Sequence, residues 1–344
     1  MIFDGMLSRR GVPTLDVLSK EDFLKRKPYI KEIIQKNEYR FIPENPEHLS
    51  VSVSEEDLSF AAGKAKAQTI EIKLFREGRT FSFPVYSVIP NKPERMPAFI
   101  YIGRNRNIPD KYLPSEEIAD NGFAVFSFSC EDVAEDDVSF RSKLASFLGI
   151  NRHFSAAPGK LSLWAYAAMR VMDYVATLDF IDTESVAVIG HSKLGKAALL
   201  AAAFDERFKY AISNNSGCSG AAISRGKRGE SVHDITNRYP YWFCPKYSRL
   251  AADFEASEFD QNFLLSLIAP RRLIIGSAEN DLYSDPESEF LGAYSVSKIY
   301  ELYGLDGLIH NGEIPKAPTL FDKGNICYYL REGEHYLSRD DWQV

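Results

Sequence analysis

Cysteine is scarce in this chain of 344 residues. Its four cysteines, Cys130, Cys218, Cys244 and Cys327, are widely scattered and none has C-x-x-C spacing. That excludes a disulfide framework and a cysteine-based metal site. Buried free thiols are the simpler reading, with a Cys218–Cys244 bridge as the alternative in an oxidising compartment. Long apolar runs are absent, so no segment reads as a membrane span. Met1 to Thr14 carries two arginines and a proline but no apolar core, so no signal peptide is visible. As it stands the sequence reads as cytoplasmic, and a secreted chain whose leader had been removed would read the same way. A block of basic residues is also missing. With 41 Lys and Arg against 48 Asp and Glu, the net charge is −7, which gives no footprint for nucleic acid. No repeat, low-complexity linker, metal motif or cofactor motif appears.

What is present is a series of short, continuous apolar runs: 98–102, 123–129, 186–189, 210–213, 273–276 and 326–330. Runs of this kind suit strands buried on both faces of a mostly parallel sheet. Helical spacing at 163–178 and 195–204 falls between them. Residues 69–75 and 80–89 alternate apolar and polar side chains around Glu77-Gly78-Arg79, the pattern of an antiparallel hairpin. Together these predict a three-layer α/β/α sandwich, with a mixed, mostly parallel sheet of about eight strands. The whole chain, 1–344, is expected to form one domain. It would carry a helical N-terminal arm over about 1–60, including a helix at 20–36. An insertion at about 220–262, poor in sheet character, would lie over the carboxyl edge of the sheet, where ligands bind in such folds.

Chemistry concentrates at Val186-Ala187-Val188-Ile189-Gly190-His191-Ser192-Lys193-Leu194-Gly195-Lys196. An apolar β-branched run ends in glycine, a serine follows after one residue, and a small-residue helical run begins. That is a strand turning sharply into a helix with Ser192 at the bend, where the first helical N–H groups face an approaching substrate. The second glycine falls one place later than in G-x-S-x-G, with Leu194 in its stead. A serine that merely caps a helix would also follow a strand in this way. A late histidine and an acid near the penultimate apolar run decide for a nucleophile. A serine hydroxyl needs a base to take its proton, and the base needs an acid to orient it. Of the histidines beyond Ser192, His335 follows the last apolar run, where the order serine–acid–histidine puts the base. His310 precedes that run, and His233 lies in the insertion. In the loop after 273–276, Asp281 fits the acid position best, with Glu279 next and Asp285 more distant. Lys193 supplies the backbone N–H facing an oxyanion, and its side chain adds positive charge there. Lys196, one turn on, reaches the same mouth. His191 points away from the nucleophile and suits packing or hydrogen bonding.

These residues resemble the glucuronoyl esterases of carbohydrate esterase family 15. Their elbow reads G-C-S-R-x-G-K, or G-H-S-R-L-G-K in bacterial members. The resemblance runs from about residue 80 onward and takes in Trp164-Ala165-Tyr166, Asn214-Asn215-Ser216-Gly217-Cys218, Gly229-Glu230-Ser231-Val232, Tyr241-Trp242-Phe243-Cys244, Ser277-Ala278-Glu279-Asn280-Asp281 and Gly333-Glu334-His335. It implies an α/β-hydrolase fold and a metal-free serine-triad esterase without cofactor, with Ser192 as nucleophile and His335 as base. The substrate implied is an ester of 4-O-methyl-glucuronic acid in xylan, or a smaller sugar ester derived from it. Lys196 matches a lysine that contacts sugar hydroxyls, and Glu230 falls where a polar sugar contact lies. Trp242 is available to stack on a sugar ring, or else belongs to the core of the insertion. Two departures stand out. Lys193 replaces the family's oxyanion arginine, a point charge for a planar fork. Asn215 stands where some members carry their acid, which favours Asp281. Similar sequences are described as acetyl xylan esterases, so carbohydrate deacetylation is the alternative activity. A catalytically silent binding protein is a third reading, opposed by the intact serine, histidine and acid.

Overall fold

The computed structural model describes residues 2–105, 110–151 and 157–344. Its centre is a ten-stranded sheet: β1 (His48–Asp57), β2 (Ala65–Arg76), β3 (Arg79–Pro90), β4 (Met96–Gly103), β5 (Ala124–Ser129), β6 (Ile181–His191), β7 (Tyr210–Asn214), β8 (Arg272–Ala278), β9 (Thr319–Phe321) and β10 (Ile326–Arg331). The spatial order is β1-β2-β3-β5-β4-β6-β7-β8-β10-β9. Strands β5, β4, β6, β7, β8 and β10 are mutually parallel. The hairpin β2–β3 joins them antiparallel through β5, and β1 and β9 are antiparallel at the two edges. Each of the six continuous apolar runs is one of the parallel strands.

The two strands beyond the expected eight are the edges. Within the N-terminal arm, 48–57 is a strand, so the arm is not helical throughout. Its Leu49 and Val51 alternate with serines, a period-two pattern obscured by the exposed Ser and Glu residues that follow. The arm does hold two helices, Ile2–Arg9 and Lys20–Ile34. The second starts where the Ser19 hydroxyl accepts from the Asp22 N–H, and it buries Phe23, Ile30, Ile33 and Ile34. The segment 220–262 contains no strand. It folds into short helices at Val232–Arg238 and Pro245–Leu250 with a 3-10 segment at Ala251–Ala256.

Alternation along the strands sends Ile100, Phe126, Val188, Leu273 and Ile275 to one face and Tyr101, Val125, Ala187, Ile189 and Ile212 to the other. The helices Lys160–Val175 and Lys193–Phe204 pack on the first face and on each other. The second carries the helix Ser115–Asp120 and the C-terminal Leu337 and Trp342. A groove of about 480 Å³ opens on this second face, and no residue of the site described below lines it. No helix among the described residues is long and apolar enough to cross a membrane. All four cysteines are buried thiols outside any disulfide.

Winding reverses at β4, which has β5 on one side and β6 on the other. A crevice forms at the carboxyl ends of strands where the order reverses. Ser192 follows β6 at that point.

Candidate active site

The elbow is built from close backbone contacts that dictate its sequence. A side chain at Gly190 would put its Cβ 2.1 Å from the Leu194 carbonyl oxygen, so only glycine fits. At Gly195 the added carbon would lie 3.0–3.1 Å from Ser213 Oγ, the Gly190 oxygen and Ser216 Cβ. The late glycine is thus the one facing β7, whereas the Leu194 side chain joins the core. Ser192 takes φ 57° and ψ −125°. Such a conformation costs a non-glycine residue roughly 1–3 kcal/mol and is held only by surrounding structure. Here the Ser192 N–H donates to the Asn214 carbonyl at 2.8 Å, which extends the β6–β7 ladder through the bend. Lys193 opens the helix Lys193–Phe204. Its N–H is one of the donors that a helix start leaves without an intrahelical acceptor.

His335 comes from the loop after β10, and Asp281 from the loop after β8. The Ser192 hydroxyl and His335 Nε2 are 2.8 Å apart, and His335 Nδ1 is 2.6 Å from Asp281 Oδ2. With Nδ1–H donating to the carboxylate, Nε2 presents its lone pair to the serine proton. Asp281 Oδ2 also accepts from the Asn215 amide at 2.8 Å, and Oδ1 accepts from the Ser284 N–H at 3.2 Å. Burial pushes the Asp281 carboxyl up, but the hydrogen bond and charge of His335, with Ser284 and Asn215, outweigh it and hold it well below the usual carboxylate range. The other two carboxylates of this loop do not reach His335. Glu279 is exposed, and Asp285 accepts from the Arg228 N–H and the Ser288 hydroxyl. The remaining late histidines lie elsewhere. His310 packs on the rings of Phe3, Phe290 and Tyr294, and His233 pairs with Asn237.

His191 flanks the site as a hydrogen-bonding residue. Its Nδ1 lies 2.6 Å from Asn214 Oδ1, and its ring centroid is 4.7 Å from that of His335. Burial first, then the neighbouring His335, lower its pKa to about 4, against the hydrogen bond to Asn214. It therefore stays neutral beside the candidate base.

The Lys193 side chain does not stand free over the elbow. Its ammonium pairs with Asp136 Oδ2 and lies 5.0 Å from the Trp164 ring centroid. The other Asp136 oxygen accepts from Trp242 Nε1 at 2.6 Å. Trp242 is 7 % exposed and stacks on Tyr239 at 4.0 Å between centroids. Its ring is therefore part of the wall, with one face already covered. Lys196 is buried and donates to the Ser216 carbonyl, and burial lowers its pKa. Glu230, also buried, accepts from the Tyr283 hydroxyl at 2.9 Å, and Arg238 donates to that same hydroxyl at 2.8 Å. Tyr283 is exposed, two residues from Asp281. Sequence reasoning missed Asp136 and Tyr283. Neither belongs to a recognisable motif, and only the fold brings them to this edge. No group of three or more His, Cys, Asp or Glu among the described residues is arranged to hold a metal ion.

A strained serine elbow after β6, with an acid after β8 and a histidine after β10 within a mostly parallel sheet, defines an α/β-hydrolase. A family model described as "Glucuronyl esterase, fungi" matches residues 72–304. A carbohydrate esterase from an unknown prokaryotic organism is 36 % identical over 238 residues, which is 67 % of this chain and 53 % of that protein. A 4-O-methyl-glucuronoyl methylesterase from Podospora anserina is 26 % identical over 273 residues, 75 % of this chain and 52 % of that one. The solved structure of a promiscuous esterase of carbohydrate esterase family 15, from a marine bacterial metagenome, superposes with a TM-score of 0.87. It is 27 % identical, and the match covers 97 % of this chain and 94 % of that one. The chain belongs to the glucuronoyl esterase family. It spans about half the length of the curated relatives it matches.

Proposed function

We propose that this protein is a serine-dependent carboxylic ester hydrolase that cleaves glucuronate esters of xylan-derived or smaller sugars. The observation that carries the reading is the unbroken hydrogen-bonded chain Ser192–His335–Asp281, at 2.8 and 2.6 Å, starting from a strained elbow. In this reading His335 Nε2 takes the Ser192 proton as Oγ attacks the ester carbonyl. Negative charge then develops on the carbonyl oxygen, and the Lys193 backbone N–H meets it. The imidazolium is stabilised by the Asp281 carboxylate and returns its proton to the leaving alcohol. Water repeats the sequence on the acyl-enzyme and releases the acid. Lys196, Glu230 and Tyr283 form the side of the mouth assigned to the sugar. Lys193 contributes mainly through its backbone, because Asp136 balances its side-chain charge.

A glucuronate ester carries its carbonyl on the sugar, whereas an acetylated sugar carries it on a two-carbon acyl group. Initial rates on a glucuronate benzyl ester and on an acetylated xylo-oligosaccharide distinguish the two. Faster release from the glucuronate ester is expected. Faster release of acetate would keep the mechanism and overturn the substrate.

A further inference from the structure

Asn215 combines three features that packing alone does not explain. It is a non-glycine residue at φ 47°, immediately after β7. It is 1 % exposed, and its Oδ1 is buried without a hydrogen-bond partner among the described residues. Its Nδ2 lies 2.8 Å from Asp281 Oδ2, the same oxygen that accepts from His335. A buried polar atom left unpaired costs free energy and calls for a reason. Turning the amide over would pair neither side, because it would set Oδ1 against the carboxylate. The orientation is therefore dictated by an ionised Asp281.

The segment around Asn215 is fixed from both ends. The Asn215 N–H donates to the Gly276 carbonyl at 2.7 Å, Lys196 donates to the Ser216 carbonyl, and the Gly217 N–H donates to Glu289 Oε1 at 2.8 Å. Glu289 Oε2 accepts from the Ser277 hydroxyl at 2.6 Å.

We propose that Asn215 is a positioning residue: its amide N–H holds Asp281 Oδ2 so that the carboxylate stays aimed at His335 Nδ1. The inference rests on the reading of Ser192, His335 and Asp281 as the catalytic triad. Asn215 touches neither the reacting atoms nor the base, and acts through Asp281. The titratable and charged groups facing Asp281 are His335 from the loop after β10, His191 at the end of β6 and Glu289 from the helix Pro286–Ser295. Lys196 and Arg331 lie beyond them. Replacing the amide by a carboxylate adds a negative charge to this set at hydrogen-bond distance from Asp281. Two carboxylates that close resist joint ionisation.

The test is the pH dependence of kcat and kcat/KM on a glucuronate benzyl ester for wild type, Asn215→Gly and Asn215→Asp, with Ser192→Ala as the baseline. Glycine and aspartate both accept the left-handed backbone. A residue kept only for its φ would therefore leave Asn215→Gly with the wild-type rate, and that result overturns the proposal. The expected result is a roughly tenfold fall in kcat for Asn215→Gly at nearly unchanged KM, the loss of one hydrogen bond to a charged group. For Asn215→Asp, the acid limb of kcat/KM moves up by about one pH unit or more. If wild type itself shows no Ser192-dependent turnover, the triad reading fails and this inference with it. Wild-type turnover with an unchanged rate in Asn215→Gly removes the Asn215 assignment alone.

Discussion

Asp281→Asn is the substitution that separates charge from geometry at the proposed orienting acid. Two donors, His335 Nδ1 at 2.6 Å and Asn215 Nδ2 at 2.8 Å, converge on Oδ2, whereas Oδ1 accepts from the Ser284 N–H at 3.2 Å. An asparagine at 281 thus places its carbonyl oxygen at the Oδ2 position, and its NH₂ takes the weaker clash with Ser284. His335 keeps its Nδ1–H tautomer, so the variant loses the charge opposite the imidazolium but not the aim of the ring. At a charge separation of about 4 Å and an effective dielectric constant of about 20, that charge contributes about 4 kcal/mol. This corresponds to a fall in kcat of about 10³. An amide that forced the wrong tautomer would cost about 10⁴, and Asp281→Ala, which removes both functions, is expected to fall at least that far. The assay is steady-state hydrolysis of a glucuronate benzyl ester, with Glu279→Gln as the comparison. An Asp281→Asn variant within tenfold of wild type, or a Glu279→Gln variant that loses activity instead, would refute the assignment of the acid.

Gly190→Ala is expected to destroy the elbow, because its Cβ would stand 2.1 Å from a backbone oxygen that cannot move without unwinding the helix start. Soluble protein with wild-type turnover and melting temperature would contradict that packing argument. His191 makes stability depend on pH. Its pKa is about 4 when folded against 6.5 for the free side chain, so as pH falls the unfolded chain takes up the proton first. The stability that a neutral His191 contributes is present above pH 6.5 and is lost as pH falls toward 4. Wild type should therefore lose on the order of 2–3 kcal/mol relative to His191→Gln between pH 7 and pH 4.5, as measured by urea unfolding. Parallel stability curves for the two proteins would refute it.

Much of this was legible in the sequence because two signals were strong. Continuous β-branched runs such as Val186–Ile189 mark strands covered on both faces, and the parallel strands lie where those runs do. The elbow was equally plain, since Gly190 is demanded by a backbone contact rather than by preference. The edge strand β1 was missed because an exposed edge needs no apolar face along its length, and Ser52 to Asp57 is polar or exposed. The late glycine looked like a departure from a pattern. Spatially it is a consequence, because Gly195 faces β7 and Leu194 faces the core. Side-chain roles at the mouth were the least legible. In sequence Lys193 offers an oxyanion both a backbone N–H and a side-chain charge; the carboxylate that pairs with that charge, Asp136, lies 57 residues earlier, and nothing local to either residue announces the pair. The same carboxylate explains why Trp242, available in sequence for stacking on sugar, is tied into the wall through its indole N–H. Glu230 and Tyr283 likewise meet only because the insertion folds back onto the loop that carries Asp281.

The proposed role of Ser192 is that of the nucleophile of a glucuronate esterase. Its most direct test is the initial rate of alcohol release from a glucuronate benzyl ester by wild type and by Ser192→Ala at equal concentration and pH. Clear turnover by wild type and a loss of roughly 10⁴ or more in the variant are expected. Equal rates for the two proteins, or no turnover by either, would contradict it.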